Sequence, residues 1–208
     1  MPRLLPFAIL VASTAIIGGS FAAVKTQSKP VGWKTASSTG VKISLPQFMR
    51  SIDLTRKDID GIAANLQKEH PENPSLAETI HRMMQAGTFK MFSISLKPPT
   101  KGFANNFNLV VIPTMGMDLK QLFKANLDAI PSMAVEGSVT HKMMHLPAGD
   151  AALFTANIKA GPRPNAMVCY LMVKGTMQYV FTFSSAVEDK KAWTSMATQA
   201  MQTVQIGK

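Results

Sequence analysis

The stretch Ala166–Ser184, AMVCYLMVKGTMQYVFTFS, decides the fold of this chain. It contains two apolar runs, Ala166–Lys174 and Thr176–Ser184, which are rich in β-branched and aromatic residues and are separated by Gly175. Such runs joined at a glycine are typical of a β-hairpin, here with Lys174 and Gly175 in the tight turn. Three aromatic residues recur at every second position of the second run and share one face of the predicted strand. These residues are Tyr179, Phe181 and Phe183.

Two more predicted strands precede this hairpin, and a helix follows it. The strands Val135–Leu146 and Ala151–Ile158 bring the number of consecutive strands to four, which predicts a mostly antiparallel sheet. Ser185, with Glu188 three residues later, has the pattern of a capping box and predicts the start of a closing helix. Its buried face would carry Trp193, Met196, Ala197 and Ala200, and Thr203–Ile206 would add a short edge strand.

The middle of the chain alternates strands with helices. A pair of helices is predicted within residues 54–86, and a third helix begins at Asp118, where Gln121 completes a capping box, and ends at Pro131. The predicted strands are Val41–Pro46, Phe89–Leu96 and Phe107–Ile112. Together these elements predict an α+β fold, a central and mostly antiparallel sheet flanked by helices, in a single domain over residues 41–208.

The composition is that of a globular protein. The chain has 208 residues, of which 46% are hydrophobic and only 16% charged, enough to bury one sizeable core. A single cysteine excludes a disulfide scaffold and a cysteine-rich metal centre. That residue, Cys169, lies in an apolar run and is predicted to be a buried small hydrophobe.

The first 22 residues have the pattern of a signal peptide. Arg3 is followed by an uncharged stretch from Leu4 to Ala23, and Ser20-Phe21-Ala22 fits the small-x-small rule for cleavage after Ala22. We therefore expect a secreted or periplasmic protein. The alternative is an uncleaved membrane anchor, because the apolar stretch is just long enough to span a bilayer.

Residues 23–40 are interpreted as a linker, because Lys, Ser, Thr, Gly and Pro dominate them without apolar periodicity. Lysine and arginine outnumber aspartate and glutamate by 22 to 12, giving a formal charge of +10. The positive charge is diffuse and not interleaved with aromatic residues, so a nucleic-acid partner is not expected. A weak contact of the linker lysines with an anionic membrane surface stays open.

Recognisable catalytic motifs are absent from the sequence. It contains no phosphate-binding loop, dinucleotide fingerprint, nucleophile elbow or His-Glu-x-x-His metal motif. No catalytic residue, cofactor or metal ligand is therefore assigned. The alternative from another functional class is a secreted hydrolase whose Ser, His and Asp residues converge only in space.

His141 and His145 raise the question of a metal site. On the predicted strand they lie about 13 Å apart, so one ion cannot bridge them, although a neighbouring strand could supply partners. The 15 methionines raise the further alternative of a copper-handling Met/His protein, because thioethers are ligands of Cu(I). Core packing explains most of the methionines, and we interpret the histidines as ordinary residues of a sheet face.

The candidate binding surface is the loop between the strands Phe89–Leu96 and Phe107–Ile112. It combines positive charge, an aromatic ring and amide groups, and loops on rigid scaffolds are where binding groups gather. The alternative is a plain solvated connector. The candidate residues are Lys97, Lys101, Phe103, Asn105 and Asn106.

The order of these segments resembles the PsbP-like families of small exported proteins, including the LpqN-type lipoproteins. The similarity is carried by loose structural motifs over roughly residues 41–206, namely Gly102–Val111, Leu146–Ala152, Tyr170–Gly175 and Tyr179–Ser184. The resemblance implies a sheet sandwiched by helices, as in the extrinsic photosystem protein, and a non-enzymatic, partner-binding role. The lipid-attachment cysteine of the lipoprotein members is missing, and the predicted helical pair 54–86 is longer than the family leads us to expect.

Taken together, these features predict an exported, non-enzymatic binding or accessory module of the cell envelope. Its partner, a protein or a small ligand, is not encoded in any motif, and an envelope protein is the expected class.

Overall fold

The computed structural model describes residues 32–52, 60–61, 64, 78, 81–82, 84–159 and 163–207. The predicted signal peptide, residues 1–22, lies outside the described residues, as does most of the predicted helical pair 54–86. The residues described between positions 60 and 85 are helical. Among the described residues, no helix combines the length and the apolar character needed to cross a bilayer.

A seven-stranded sheet forms the centre of the fold, and all its neighbouring strands pair antiparallel. Its strands are β3 (Met49–Ser51), β4 (Phe89–Ser95), β5 (Asn106–Pro113), β6 (Thr140–Leu146), β7 (Gly149–Ile158), β8 (Asn165–Lys174) and β9 (Met177–Ala186). Their order across the sheet is β3-β4-β5-β9-β8-β7-β6. The prediction of an α+β fold with a mostly antiparallel sheet is confirmed.

The β8–β9 hairpin lies near the middle of the sheet. Lys174 pairs with Met177, so the turn consists of Gly175 and Thr176, one position later than predicted. Gly175 has a φ of +58°, which glycine adopts without a steric penalty. Both faces of this hairpin are buried, which explains why its strands read as nearly continuous apolar runs.

A second, three-stranded sheet packs against one face of the first. It consists of β1 (Trp33–Ser38), β2 (Val41–Pro46) and β10 (Gln205–Ile206), with β2 in the middle. The interpretation of residues 23–40 as a linker is therefore wrong for Trp33–Ser38. Those residues pair along the whole of β2, and the pairing makes them a strand despite their polar sequence.

Two described helices cover opposite faces of the large sheet. Helix α1 (Leu119–Ala129) begins at the predicted capping box: Gln121 N–H donates to Asp118 Oδ1 at 2.8 Å, and Asp118 N–H donates to Gln121 Oε1 at 2.9 Å. Helix α2 (Lys190–Gln202) begins later than predicted. Ser185 lies buried in β9 instead of capping this helix, and a 3-10 turn over Val187–Asp189 comes between them.

The large sheet separates two apolar cores. One core packs α2 and the three-stranded sheet against residues such as Tyr170, Phe181 and Phe183. The other packs α1 against residues that include Phe154 and Cys169. The burial predicted for Trp193, Met196, Ala197 and Ala200 is confirmed.

Strand β6 is shorter than predicted. Residues 135–139 precede it as a turn around Gly137, whose φ is +71°, and the strand starts only at Thr140. The positive φ of this glycine explains why the chain bends where the apolar pattern suggested a continuous strand.

Candidate binding surface

The loop between β4 and β5 is a tight hairpin at one end of the large sheet. Thr100 and Phe103 exchange two backbone hydrogen bonds, of 2.9 and 3.2 Å. Lys101 and Gly102, between them, have φ values of +54° and +84°. Positive φ at both central positions is the geometry of a type I′ turn, which holds Lys101 at an exposed tip.

Two of the five candidate side chains point into the protein. Phe103 and Asn106 are both buried, Phe103 in the hairpin and Asn106 at the first position of β5. Asn106 Nδ2 donates to the carbonyl oxygen of Ala104 at 3.3 Å, and its Oδ1 has no hydrogen-bond partner. The structure therefore separates these two residues from the exposed part of the loop.

Asn105 fastens the loop to the start of α2. Its Nδ2 donates to Asp189 Oδ2 at 2.9 Å, and its Oδ1 accepts from the backbone N–H of Ala186 at 3.1 Å. An amide can satisfy an acceptor and a donor at once, and Asn105 uses both groups. The loop is consequently held in one position relative to α2.

The two lysines of the loop remain exposed. Lys97 Nζ lies 4.1 Å from the centre of the Phe48 ring, a cation–π contact. Lys101 Nζ lies 3.9 Å from Glu188 Oε1, with 59% of the lysine side chain and 52% of the glutamate side chain exposed. Such an open ion pair contributes little to stability and leaves the charge of Lys101 available to a partner.

Two aromatic residues that the sequence reasoning did not single out lie at the same end of the fold. Phe48 is half-buried, and its ring centre lies 6.4 Å from that of the buried Trp193. Trp33, at the start of β1, is 41% exposed, and the preceding Gly32 accepts a hydrogen bond from the N–H of Gln47 at 2.8 Å. We call the group Trp33, Phe48, Lys97 and Lys101 the aromatic–basic patch.

A shallow cleft of about 360 Å³ opens beside β4 and the exposed strand β1. Its lining mixes apolar side chains with serines, among them Ala36, Ser37, Ser51, Met84 and Phe89. Lys90 is the only titratable residue among the described residues that line it. Among the described residues, the cleft therefore provides a concave surface and serine hydroxyl groups but no acid–base pair.

Two of the described histidines each pair with a carboxylate. His145 Nδ1 lies 2.8 Å from Asp150 Oδ1, but these side chains are 79% and 74% exposed on an open strand rather than in a cleft. His81 makes a similar contact of 2.7 Å with Asp60. Across the described part of the chain, no three His, Cys, Asp or Glu side chains are grouped to hold a metal ion.

Cys169 is unsuited to nucleophilic chemistry in the folded protein. It lies fully buried in the core beneath α1, and burial raises the pKa of its thiol to about 12, while a hydrogen bond from Thr182 opposes that shift. A thiol that stays protonated is a poor nucleophile. The predicted burial of Cys169 is confirmed.

Comparison with solved structures identifies the fold class. The chain is similar to the solution structure of CyanoP, the cyanobacterial PsbP of Synechocystis sp. PCC 6803, with 11% identity, a TM-score of 0.51 and coverage of 90% of this chain and 98% of that one. It is also similar to LpqN of Mycobacterium tuberculosis, a protein involved in cell envelope biogenesis, with 7% identity, a TM-score of 0.51 and coverage of 86% and 93%. A third match, to the Ran-binding protein Mog1p of Saccharomyces cerevisiae, has 9% identity, a TM-score of 0.46 and coverage of 85% and 96%.

No protein-family model matches the sequence, and no curated protein matches it. At these levels of identity, the similarity to CyanoP and LpqN shows a shared fold alone. The chain is thus an α+β protein with a PsbP-like fold, as the resemblance in its sequence implied.

Proposed function

We propose that this chain is an exported, non-enzymatic binding or accessory module of the cell envelope, and that the aromatic–basic patch contacts an envelope protein. The signal-peptide pattern of residues 1–22 supports export. The similarity in fold to LpqN, a protein involved in cell envelope biogenesis, agrees with a role in that compartment.

The observation that carries this proposal is the way the patch is built. Trp33 exposes a large aromatic surface, and Lys97 and Lys101 present two charges from a loop that Asn105 fastens to α2. Tryptophan is among the residues that dominate the binding energy of protein interfaces, and exposed positive charges steer the association of a partner with a complementary charge. A preorganised loop also loses little conformational entropy when a partner binds.

If the apolar segment of residues 1–22 is not cleaved and anchors the chain in the membrane, it keeps this patch close to the membrane. Trp33 is separated from Ala22 by ten residues, which span at most about 36 Å when fully extended. Lysines near an anionic bilayer each gain about 1 kcal/mol. A weak membrane contact of the patch is therefore compatible with a protein partner and does not replace one.

The test is site-specific photocrosslinking in the native envelope, followed by mass spectrometry. A photoreactive residue replaces Trp33 or Lys101 in the full chain, and the control carries it at Met115, which is 74% exposed. We expect the two patch positions to capture the same protein and position 115 not to capture it. The double variant Lys97→Glu/Lys101→Glu should abolish capture from position 33, whereas Lys120→Glu on α1 should not.

Two results would contradict the proposal. Equal capture from all three positions would show that the patch has no special role. Turnover of a small ester or amide by the purified chain, lost on His145→Ala, would favour the secreted hydrolase instead.

A further inference from the structure

Strand β6 is the outermost strand of the large sheet and is open to solvent. It reads Thr140-His141-Lys142-Met143-Met144-His145-Leu146, and five of these seven residues are exposed, whereas Met144 is partly buried and Leu146 is buried. Met143, at its centre, is 43% exposed. No described residue pairs with the outer edge of this strand. An edge of seven residues with free backbone groups is a template for another strand.

The backbone groups at this edge belong to His141, Met143 and His145. The backbone carbonyl oxygen of Asn157 in β7 accepts from Val135 N–H at 2.7 Å, and the backbone N–H of Asn157 donates to Ser138 Oγ at 3.1 Å. Odd-numbered residues of β7 therefore direct their backbone groups toward β6. Their partners in β6 are the even-numbered residues, as in the pair Met144 and Ala151. Since backbone groups alternate in direction along a strand, the odd-numbered residues of β6 point theirs outward.

The side chains of the same three residues share one face of the sheet. It is the face covered by α1, because the His141 ring makes an edge contact with Phe123 of that helix at 5.6 Å. The contacts of helix α1 with the sheet fall mainly on β7 and β8, the two strands on the inner side of β6.

The spacing of the two histidines is palindromic about Met143. In an antiparallel pair of β6 strands centred on Met143, His141 of one copy lies opposite the partner's His145, and the reverse pair forms on the other side. We propose that two copies of this chain pair through β6 and bind borderline transition-metal ions, Zn²⁺ or Cu²⁺, between His141 and the partner's His145. Each site is incomplete without the second copy, because each copy supplies one of its two imidazoles.

The geometry of directly opposed strand residues suits such a site. Opposed Cβ atoms lie about 5 Å apart, and two imidazoles at that separation reach one ion at the usual metal–nitrogen distance of about 2.0–2.1 Å. Asp150 lies 2.8 Å from His145 Nδ1, so it orients this ring and leaves Nε2 as the ligand. Met143 lies between the two sites, where its thioether can add a soft ligand that favours copper.

The metal is required because the strand pairing alone is weak. Lys142 places a charge on the edge strand, a feature that discourages pairing between sheets. The exposed side chains of β6 are mostly polar and bury little apolar surface. The dimer is therefore expected to form when ions are present and to dissociate when they are removed.

The test measures the molar mass of the full chain, purified as its host processes it, by light scattering during size-exclusion chromatography. With ZnCl₂ or CuSO₄ we expect twice the monomer mass and two ions per dimer, and with EDTA the monomer. His141→Ala and His145→Ala should each abolish the dimer, because either change breaks both sites. The control is His81→Ala, which removes a histidine outside β6 and should dimerise as the unmodified chain does.

Mixing the two variants that do not dimerise on their own gives the decisive result. A heterodimer of His141→Ala with His145→Ala keeps one complete site, so the mixture should recover dimers with half the metal content. Circular dichroism checks that each variant is folded. Failure of the mixture to dimerise, or metal-dependent dimers in either variant alone, would overturn the proposed register and site.

Discussion

Asn105 and Asp189 are joined by a hydrogen bond of 2.9 Å that ties the β4–β5 loop to the start of α2. The same asparagine accepts from the N–H of Ala186, a buried residue at the end of β9. One side chain therefore connects three elements: the loop, the last strand of the hairpin and the closing helix. Its contribution can be measured separately from the lysines that the loop exposes.

Asn105→Ala removes both hydrogen bonds and leaves a buried N–H without a partner. We expect the free energy of unfolding to fall by about 1–3 kcal/mol, measured by urea denaturation. Asp189→Ala should cost less, since it removes one of the two bonds. The double variant should be less destabilised than the sum, and strict additivity would show that the two residues are not coupled. Asp128→Ala, an exposed change on α1, serves as the control.

Variants of Phe48 and Lys97 should differ in how much they lower the stability of the fold. Phe48→Ala removes a half-buried ring packed near Trp193, so we expect a loss of about 2 kcal/mol in unfolding free energy. Lys97→Met keeps the packing stem and loses the cation–π contact, which is worth about 0.5 kcal/mol at an exposed site. Urea denaturation of both variants checks the order, and a larger effect of Lys97→Met would contradict this assignment.

Cys169 should make stability depend on pH in the alkaline range. Its thiol stays protonated in the folded state up to about pH 12, whereas the ordinary pKa of a thiol is 9.0. Above pH 9 the unfolded state therefore binds fewer protons than the folded state, and stability falls as pH rises. Below pH 9 the thiol is protonated in both states and contributes no dependence.

The measurement for Cys169 is unfolding free energy against pH, compared with Cys169→Ala. The difference between the two curves should be flat below pH 9 and should fall by up to about 1.4 kcal/mol per pH unit above it. A thiol reagent at pH 8 should label the folded chain only at the rate of unfolding. Rapid labelling of the folded protein would show that Cys169 is accessible.

The capping box of α1 gives a prediction for local helix stability. Asp118→Ala removes the side-chain acceptor for Gln121 N–H and should cost about 1 kcal/mol in unfolding free energy. Lys120→Ala lies in the same helical turn, is exposed, and should change stability by less than about 0.5 kcal/mol. Thermal denaturation followed by circular dichroism measures both, and equal effects would contradict a role for the cap.

The elements that sequence reasoning found are those whose local pattern agrees with their surroundings. The β8–β9 hairpin has apolar residues on both faces because both faces are buried, and Asp118 with Gln121 forms the cap that its spacing predicts. Strand β1 was missed because its residues are mostly exposed. It is a strand only through pairing with β2, which no local pattern shows.

Two errors have the same origin. Ser185 and Glu188 match a capping box, but Ser185 pairs with Ala166 in the sheet, and this pairing extends β9 past it. Asn106 was grouped with the loop, but it pairs with Ser184 and starts β5. In each case, pairing with a strand residue distant in sequence determined the secondary structure, and local β-propensity does not reveal such pairing.

The candidate surface was predictable only in part. The loop lysines were identified from their position between two strands, and both are exposed. Trp33 and Phe48 lie more than forty residues before the loop in the sequence. Leu96 N–H donates to the carbonyl oxygen of Phe48 and brings that residue beside the loop, and Gln47 N–H donates to the carbonyl oxygen of Gly32, next to Trp33. The sequence indicated the aromatic part of the patch only through Trp33, an isolated tryptophan in a polar stretch.

Strand β2 pairs on one side with β1, its neighbour in sequence, and on the other with β10, which follows α2 in the sequence. The backbone N–H of Gly207 also donates to the carbonyl oxygen of Gly40 at 2.7 Å. During synthesis on the ribosome, the small sheet cannot close until α2 and β10 have been made. A chain truncated just after α2 would keep every described helix but would leave one edge of β2 unpaired. That edge could then pair with a strand of another molecule.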